Sequence, residues 1–226
     1  SLTIAQILGI LAHTDAERFG LDQGALNADW LYRYGEASRL AFADRNQYIG
    51  DPDFVKAPVG SWMSLLNQGY LKQRAALIDT SAQPKSMNTA KAGQPQALQA
   101  AYASMPHQKE YGTSHISIVD KYGNALAMTT TIESQFGSKL MVNRGKGLAG
   151  GFLLNNEMTD FSFSPRDDTG KPVANRVEPN KRPRSSMSPT LVYEKLPNGK
   201  RGKLMVSLGS PGGANIIHYT AKTLYA

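Results

Sequence analysis

Gly112-Thr113-Ser114-His115-Ile116-Ser117-Ile118-Val119-Asp120 reads as a β-strand. Its alternation puts Ile116 and Ile118 on one face and His115, Ser117 and Val119 on the other. After Lys121-Tyr122-Gly123-Asn124 the chain runs back as Ala125-Leu126-Ala127-Met128-Thr129-Thr130-Thr131-Ile132, which predicts a hairpin. A threonine after a glycine at the head of a strand has an ordinary reading, because threonine favours strands. It also suits one chemistry. Cutting the Gly112–Thr113 bond gives Thr113 a nucleophilic hydroxyl and a free α-amine on one residue. Such an amine, with a pKa of about 7.7–8.0, accepts the hydroxyl proton near neutral pH.

The motifs that follow add to this reading by their order. Thr129-x-Thr131-Ile132-x-x-x-Phe136-Gly137 comes first, then Gly-Phe-Leu-Leu-Asn-Asn-Glu-Met-Thr-Asp-Phe-Ser at 151–162. Pro-Asn-Lys-Arg-Pro-Arg-Ser-Ser-Met-Ser-Pro-Thr follows at 179–190, and Gly209-Ser210-Pro211-Gly212-Gly213 closes the series. The succession resembles the γ-glutamyltranspeptidases, self-processing enzymes whose nucleophile becomes a chain N-terminus, and the likeness covers essentially the whole chain.

The resemblance implies an α+β fold, part of the four-layer αββα sandwich of N-terminal-nucleophile hydrolases. An independent count of five or six strands between helical groups agrees with it. It implies that residues 1–112 are the C-terminal part of a large subunit, mainly helical, and that 113–226 begin a small subunit. Further segments of both subunits are expected outside this chain. The implied catalytic residues are Thr113 as nucleophile, Thr131 orienting it, and Gly212 and Gly213 as the oxyanion hole. Ser185 and Ser186 would hold the α-carboxylate of a γ-glutamyl donor, and Glu133, Glu157 and Asp160 its α-amino group. At the position of Glu133 the family commonly has asparagine; here the alternative is a side chain turned to solvent or paired with Lys139. Water or an acceptor amine would resolve the acyl-enzyme. No cofactor or metal is implied, and the location implied is periplasmic or extracellular. Two other readings stand beside this one. The chain could be a related acylase of the same fold, cutting a cephalosporin side chain or a polyglutamate amide, or a catalytically silent remnant used for binding.

Composition narrows the field. With 41% hydrophobic and 19% charged residues in 226, the chain has enough apolar content for a packed core. No apolar run approaches the ~18 residues of a membrane span. The absence of cysteine rules out disulfides, thiol catalysis and thiolate-ligated metals within the chain. A net charge of +7 concentrates in 165–205, where ten Lys/Arg face four Asp/Glu. Without interleaved aromatics or a recognition-helix pattern this reads as solvated loop charge, not a nucleic-acid surface. Ser1-Leu2-Thr3-Ile4 begins inside a helical pattern with no leader visible, so the sequence is expected to start mid-protein.

Residues 4–11 have helical spacing. A second helix is expected after Asn27, a cap residue, with Trp30, Tyr34, Ala37 and Ala41 along one face until Gly50-Asp51-Pro52 ends it. Asp44 and Arg45 are adjacent, so each is expected to pair with a different element. Two shorter helices, 61–68 and 70–78, are expected to divide at Gly69. Residues 80–112 carry no sustained period and read as an exposed connector. His107 lies there without a second ligand at metal spacing. The glycines of 146–151 lack the Gly-x-x-x-x-Gly-Lys-Ser/Thr pattern of a nucleotide loop. Strands at 188–193 and 203–208 are expected to meet across Pro197-Asn198-Gly199. From Gly209 to Gly213 the chain turns into a helix, Ala214 to about Tyr225, whose N-terminal N–H groups suit an anion.

Overall fold

In the computed structural model the described residues are 1–22, 25–95, 101–110, 112–143, 145 and 150–225. Among them run α1 (Leu2–Leu11), β1 (Leu21–Asp22), β2 (Ala25–Leu26), α2 (Ala28–Tyr48), α3 (Gln68–Ala75), β3 (Ser114–Val119) and β4 (Ala125–Thr130). They are followed by β5 (Met141–Val142), β6 (Phe152–Leu153), β7 (Thr190–Lys195), β8 (Arg201–Leu208) and α4 (Asn215–Tyr225). Two compact units interleave along the chain. One holds Ser1–Gln108, Phe161–Arg184 and Ala221–Ala226; the other holds Lys109–Asp160 and Ser185–Thr220.

The first unit is helical. Asn27 Oδ1 accepts from the N–H groups of Asp29 and Trp30, which fixes the start of α2 as its sequence predicts. Trp30, Tyr34, Ala37 and Ala41 are all buried, with Ile4, Ile7, Ile10, Leu40 and Leu71 beside them in the core. Asp44, fully buried, accepts from Gln6 of α1, from Tyr70 of α3 and from the Gly93 N–H, and lies 3.2 Å from Arg74. The next helix breaks at a different residue from the one expected. Trp62–Leu66 is a 3-10 turn, and Asn67, not Gly69, divides it from α3, because Asn67 Oδ1 caps the N–H groups of Gly69 and Tyr70. Residues 80–95 and 101–110 contain no helix or strand, and the connector is exposed only in part. Ala103 and Met105 are buried with Val173, since Ala103 pairs with Val173 and bonds the Pro172 carbonyl. Residues 96–100 and 111 of the connector, and 146–149 of the glycine run, lie outside the described residues.

The second unit is built of hairpins. β3 and β4 pair antiparallel from Ser114↔Thr130 to Val119↔Ala125, the hairpin that the sequence predicts. Thr113 lies just before the strand and not at its first residue. β7 and β8 meet across a turn in which Gly199, at φ +77°, donates to Leu196. Ser207 Oγ donates to the Leu126 carbonyl, so the two hairpins touch. β5 and β6 form a third, two residues to a strand, which the sequence reading missed.

The chain is α+β. Its described strands pair only as four two-stranded antiparallel sheets. A layered sandwich requires hairpins joined edge to edge into larger sheets, and the described residues contain no such ladder. Among them no helix is long and apolar enough to cross a membrane.

Candidate active site

The second unit brings together residues far apart in sequence. Thr113 Oγ1 donates to Thr131 Oγ1 at 3.2 Å, and Thr131 Oγ1 also accepts from the Glu133 N–H at 2.9 Å. Thr113 has φ +87°, a left-handed conformation that a β-branched residue rarely adopts. The carbonyl just before it, that of Gly112, accepts from the Gly212 N–H at 3.2 Å. Gly112 has no freedom to be anything else. At φ +86° a Cβ on it would stand 1.7 Å from the Glu133 carbonyl oxygen. Gly213, at φ +55°, is equally constrained, for its Cβ would stand 2.3 Å from the Glu110 carbonyl oxygen.

Two clefts meet at Thr113. The open one, of about 800 Å³, is lined by Gly112, Thr113, Thr131, Ser134, Phe136 and Lys139 among others. The narrow one is lined by Glu110, Thr113, Glu133, Asp160, Ser186 and Gly213, with Ser185 and Thr131 also on its wall. Ser186, 6% exposed, donates to Glu110 Oε2 at 3.1 Å. Ser185 is exposed, and its hydroxyl accepts from the Met187 N–H.

Glu133 is also 6% exposed, so it is not turned to solvent, and among the described residues it forms no ion pair with Lys139. Its Oε2 accepts from Ser134 Oγ and from Asn156 Nδ2. Glu157 and Asp160 bracket the 3-10 turn that follows β6. Burial, and after it the charges of Glu110, Glu157 and Glu133, push Asp160 up to about 7. Burial raises Glu157 too, against a hydrogen bond from Asp160 that lowers it. Glu157 Oε1 is buried with no hydrogen-bond partner among the described residues. Of the residues singled out for the site, Thr113, Thr131, Glu133, Asp160, Ser185, Ser186 and Gly213 line the narrow cleft, whereas Glu157 and Gly212 do not, Gly212 reaching Gly112 on the wall of the open one. Sequence reading missed Glu110, Ser134 and Asn156. Asn156 lies inside a quoted motif and was open to notice, whereas nothing near Glu110 marks it. No group of three or more His, Asp or Glu among the described residues is placed to hold a metal ion.

A hydroxyl beside a peptide carbonyl that a glycine N–H polarises is an arrangement that suits acyl transfer. The chain shares its fold with cephalosporin acylase from Bacillus halodurans, which superposes with a TM-score of 0.54 at 22% identity, over 80% of this chain and 26% of that one. The chain belongs to the gamma-glutamyltranspeptidase family, whose model matches residues 1–226. It is 40% identical to the glutathione hydrolase proenzyme of Escherichia coli (strain K12), over 95% of this chain and 33% of that protein. It is 37% identical to the glutathione hydrolase proenzyme of Bacillus subtilis (strain 168), over 98% and 34%. The chain thus spans about a third of the length of these curated relatives.

Proposed function

We propose that the chain carries the self-cleavage and acyl-transfer centre of an enzyme that moves or hydrolyses γ-glutamyl groups, glutathione being a representative donor. The observation that carries this reading is the Gly212 N–H on the Gly112 carbonyl, next to a strained Thr113 whose hydroxyl meets Thr131. In the first reaction Thr113 Oγ1 attacks the Gly112 carbonyl carbon. The Gly212 N–H stabilises the oxyanion, the Gly112–Thr113 C–N bond breaks, and the hydroxyl proton passes to the departing nitrogen. Water then opens the ester, leaving a Gly112 carboxylate and a free Thr113 amine. Residues 1–112 thereby become the end of a large subunit and residues 113–226 the beginning of a small one.

The same parts serve the second reaction. The Thr113 amine takes the hydroxyl proton, the oxygen attacks a γ-glutamyl carbonyl, and Gly212 and Gly213 face the oxyanion. The γ-amide C–N bond then breaks, and the donor's amine leaves with the proton that the Thr113 amine returns to it. Ser185 and Ser186 hold the α-carboxylate. Glu133, Glu157 and Asp160 surround the α-ammonium, and the buried, unpartnered Glu157 Oε1 is an acceptor that an ammonium N–H satisfies. Water or an amine releases the acyl group. The complete αββα sandwich and a periplasmic or extracellular location belong to the same proposal.

The test uses the full-length protein. Thr113→Ala is expected to remain one chain without activity, and Thr113→Ser to process slowly. Two subunits from Thr113→Ala would overturn the reading. Turnover of a γ-glutamyl anilide but not of a glutaryl amide separates it from a related acylase.

A further inference from the structure

Glu110 lies three residues before Thr113, in a connector without a motif. Yet it is held as firmly as the residues that the motifs mark. Its side-chain Oε2 accepts from Ser186 Oγ at 3.1 Å. Its backbone carbonyl presses on Gly213, where no side chain fits. Two positions on, the Gly112 carbonyl is held by the neighbouring Gly212 N–H. One strand-to-helix turn thus holds the Gly112 carbonyl by a hydrogen bond and lies close against the Glu110 backbone, and Ser186 adds a second hydrogen bond.

The groups that the uncut chain places here match those of a donor. A γ-glutamyl substrate must seat a carboxylate on the serine pair and an electrophilic carbonyl on the glycine N–H groups. Glu110 supplies the carboxylate to Ser186, and Gly112 supplies the carbonyl to Gly212. We propose that Glu110 is a built-in substrate mimic, a positioning residue whose carboxylate takes the place of the donor's α-carboxylate and holds the Gly112–Thr113 bond in register for attack. This rests on the γ-glutamyl reading of the serine site.

The experiment follows self-cleavage of the full-length precursor in E110A, E110Q, S186A and the E110A/S186A double variant, by denaturing gel against time. E110A and S186A are each expected to slow cleavage by about tenfold or more, the loss of one charge-assisted hydrogen bond. E110Q, which keeps an acceptor oxygen, should fall between E110A and wild type. The double variant should be no slower than the slower single one, because both remove one contact. In this proposal cleavage releases the segment ending at Gly112, so that Glu110 vacates Ser186 and no longer faces Asp160. Matured E110A should then turn over a γ-glutamyl anilide with wild-type KM and kcat, since the mimic matters only to the uncut chain. That readout separates positioning from a general folding defect, which would lower kcat in the matured protein as well. Wild-type cleavage of E110A, additive losses in the double variant, or a raised KM in matured E110A would each overturn the proposal. Failure of the underlying reading shows elsewhere, as cleavage of Thr113→Ala or no turnover of the anilide by matured wild type.

Discussion

Thr113 holds a conformation that costs on the order of 1–3 kcal/mol in a non-glycine residue, and the peptide bond proposed to break is its own. If that bond is cut, the constraint is freed and the strain favours products. Gly112→Ala tests the geometry on the other side of that bond. A methyl group there meets the Glu133 carbonyl, and full-length Gly112→Ala is expected to stay uncut or to process far more slowly on a denaturing gel. Asp160 sets the pH behaviour. Its carboxyl, held up at about 7 by burial and by neighbouring carboxylates, loses its charge as pH falls through that value. It then no longer attracts an ammonium, so KM for the donor should rise on acidification. Glu133→Asn removes one of the repelling charges and should move the acid limb of kcat/KM to lower pH, changing KM more than kcat. An unmoved profile would take Glu133 out of the site. Of these features the crowded carboxylates were legible beforehand, since Glu133, Glu157 and Asp160 were expected around one ammonium group. The positive φ of Thr113 was not, because it arises only when distant segments meet.

At the scale of elements, the long-period signals were the legible ones. Asn27 marked the start of α2, the 3.6-residue stripe of Trp30, Tyr34, Ala37 and Ala41 marked its buried face, and Pro197-Asn198-Gly199 marked the turn between β7 and β8. β5 and β6 were not, because two residues are too few to show a period and their pairing depends on tertiary contact. Gly69 misled because its lack of a side chain weighed more than the cap that Asn67 provides two residues earlier. Asp44 was expected to pair outside its own helix, and it ties α1, α2 and α3 together through Gln6, Tyr70 and Arg74. Removing it leaves Arg74 charged in a buried setting. Asp44→Ala should destabilise the first unit by about 3–5 kcal/mol in urea unfolding. A loss no larger than that of an exposed substitution would show that the cluster is not what joins these helices.

At the scale of the whole molecule, contacts of long sequence separation close the first unit on itself. Asp51 accepts from the Arg182 N–H and guanidinium, 131 residues away within the first unit. Those hydrogen bonds, above all the side-chain ones, hold the Asp51 carboxyl well below the usual carboxylate range. Because its folded pKa is depressed, the stability it contributes is present above the unfolded value, about 3.9, and disappears as pH falls through the folded one. Wild type should therefore exceed Asp51→Asn in thermal stability at neutral pH, with the gap closing below about pH 4. A gap independent of pH would assign the loss to packing. Sequence alone drew the boundary of interest at Gly112–Thr113, a covalent division, whereas the compact units cross that point and each gathers separate stretches of chain. The covalent division is the central claim. N-terminal sequencing of the smaller chain from the mature full-length protein tests it most directly. The expected result is Thr-Ser-His-Ile-Ser, beginning at Thr113; a single uncut chain, or a new terminus at any other residue, would contradict the account.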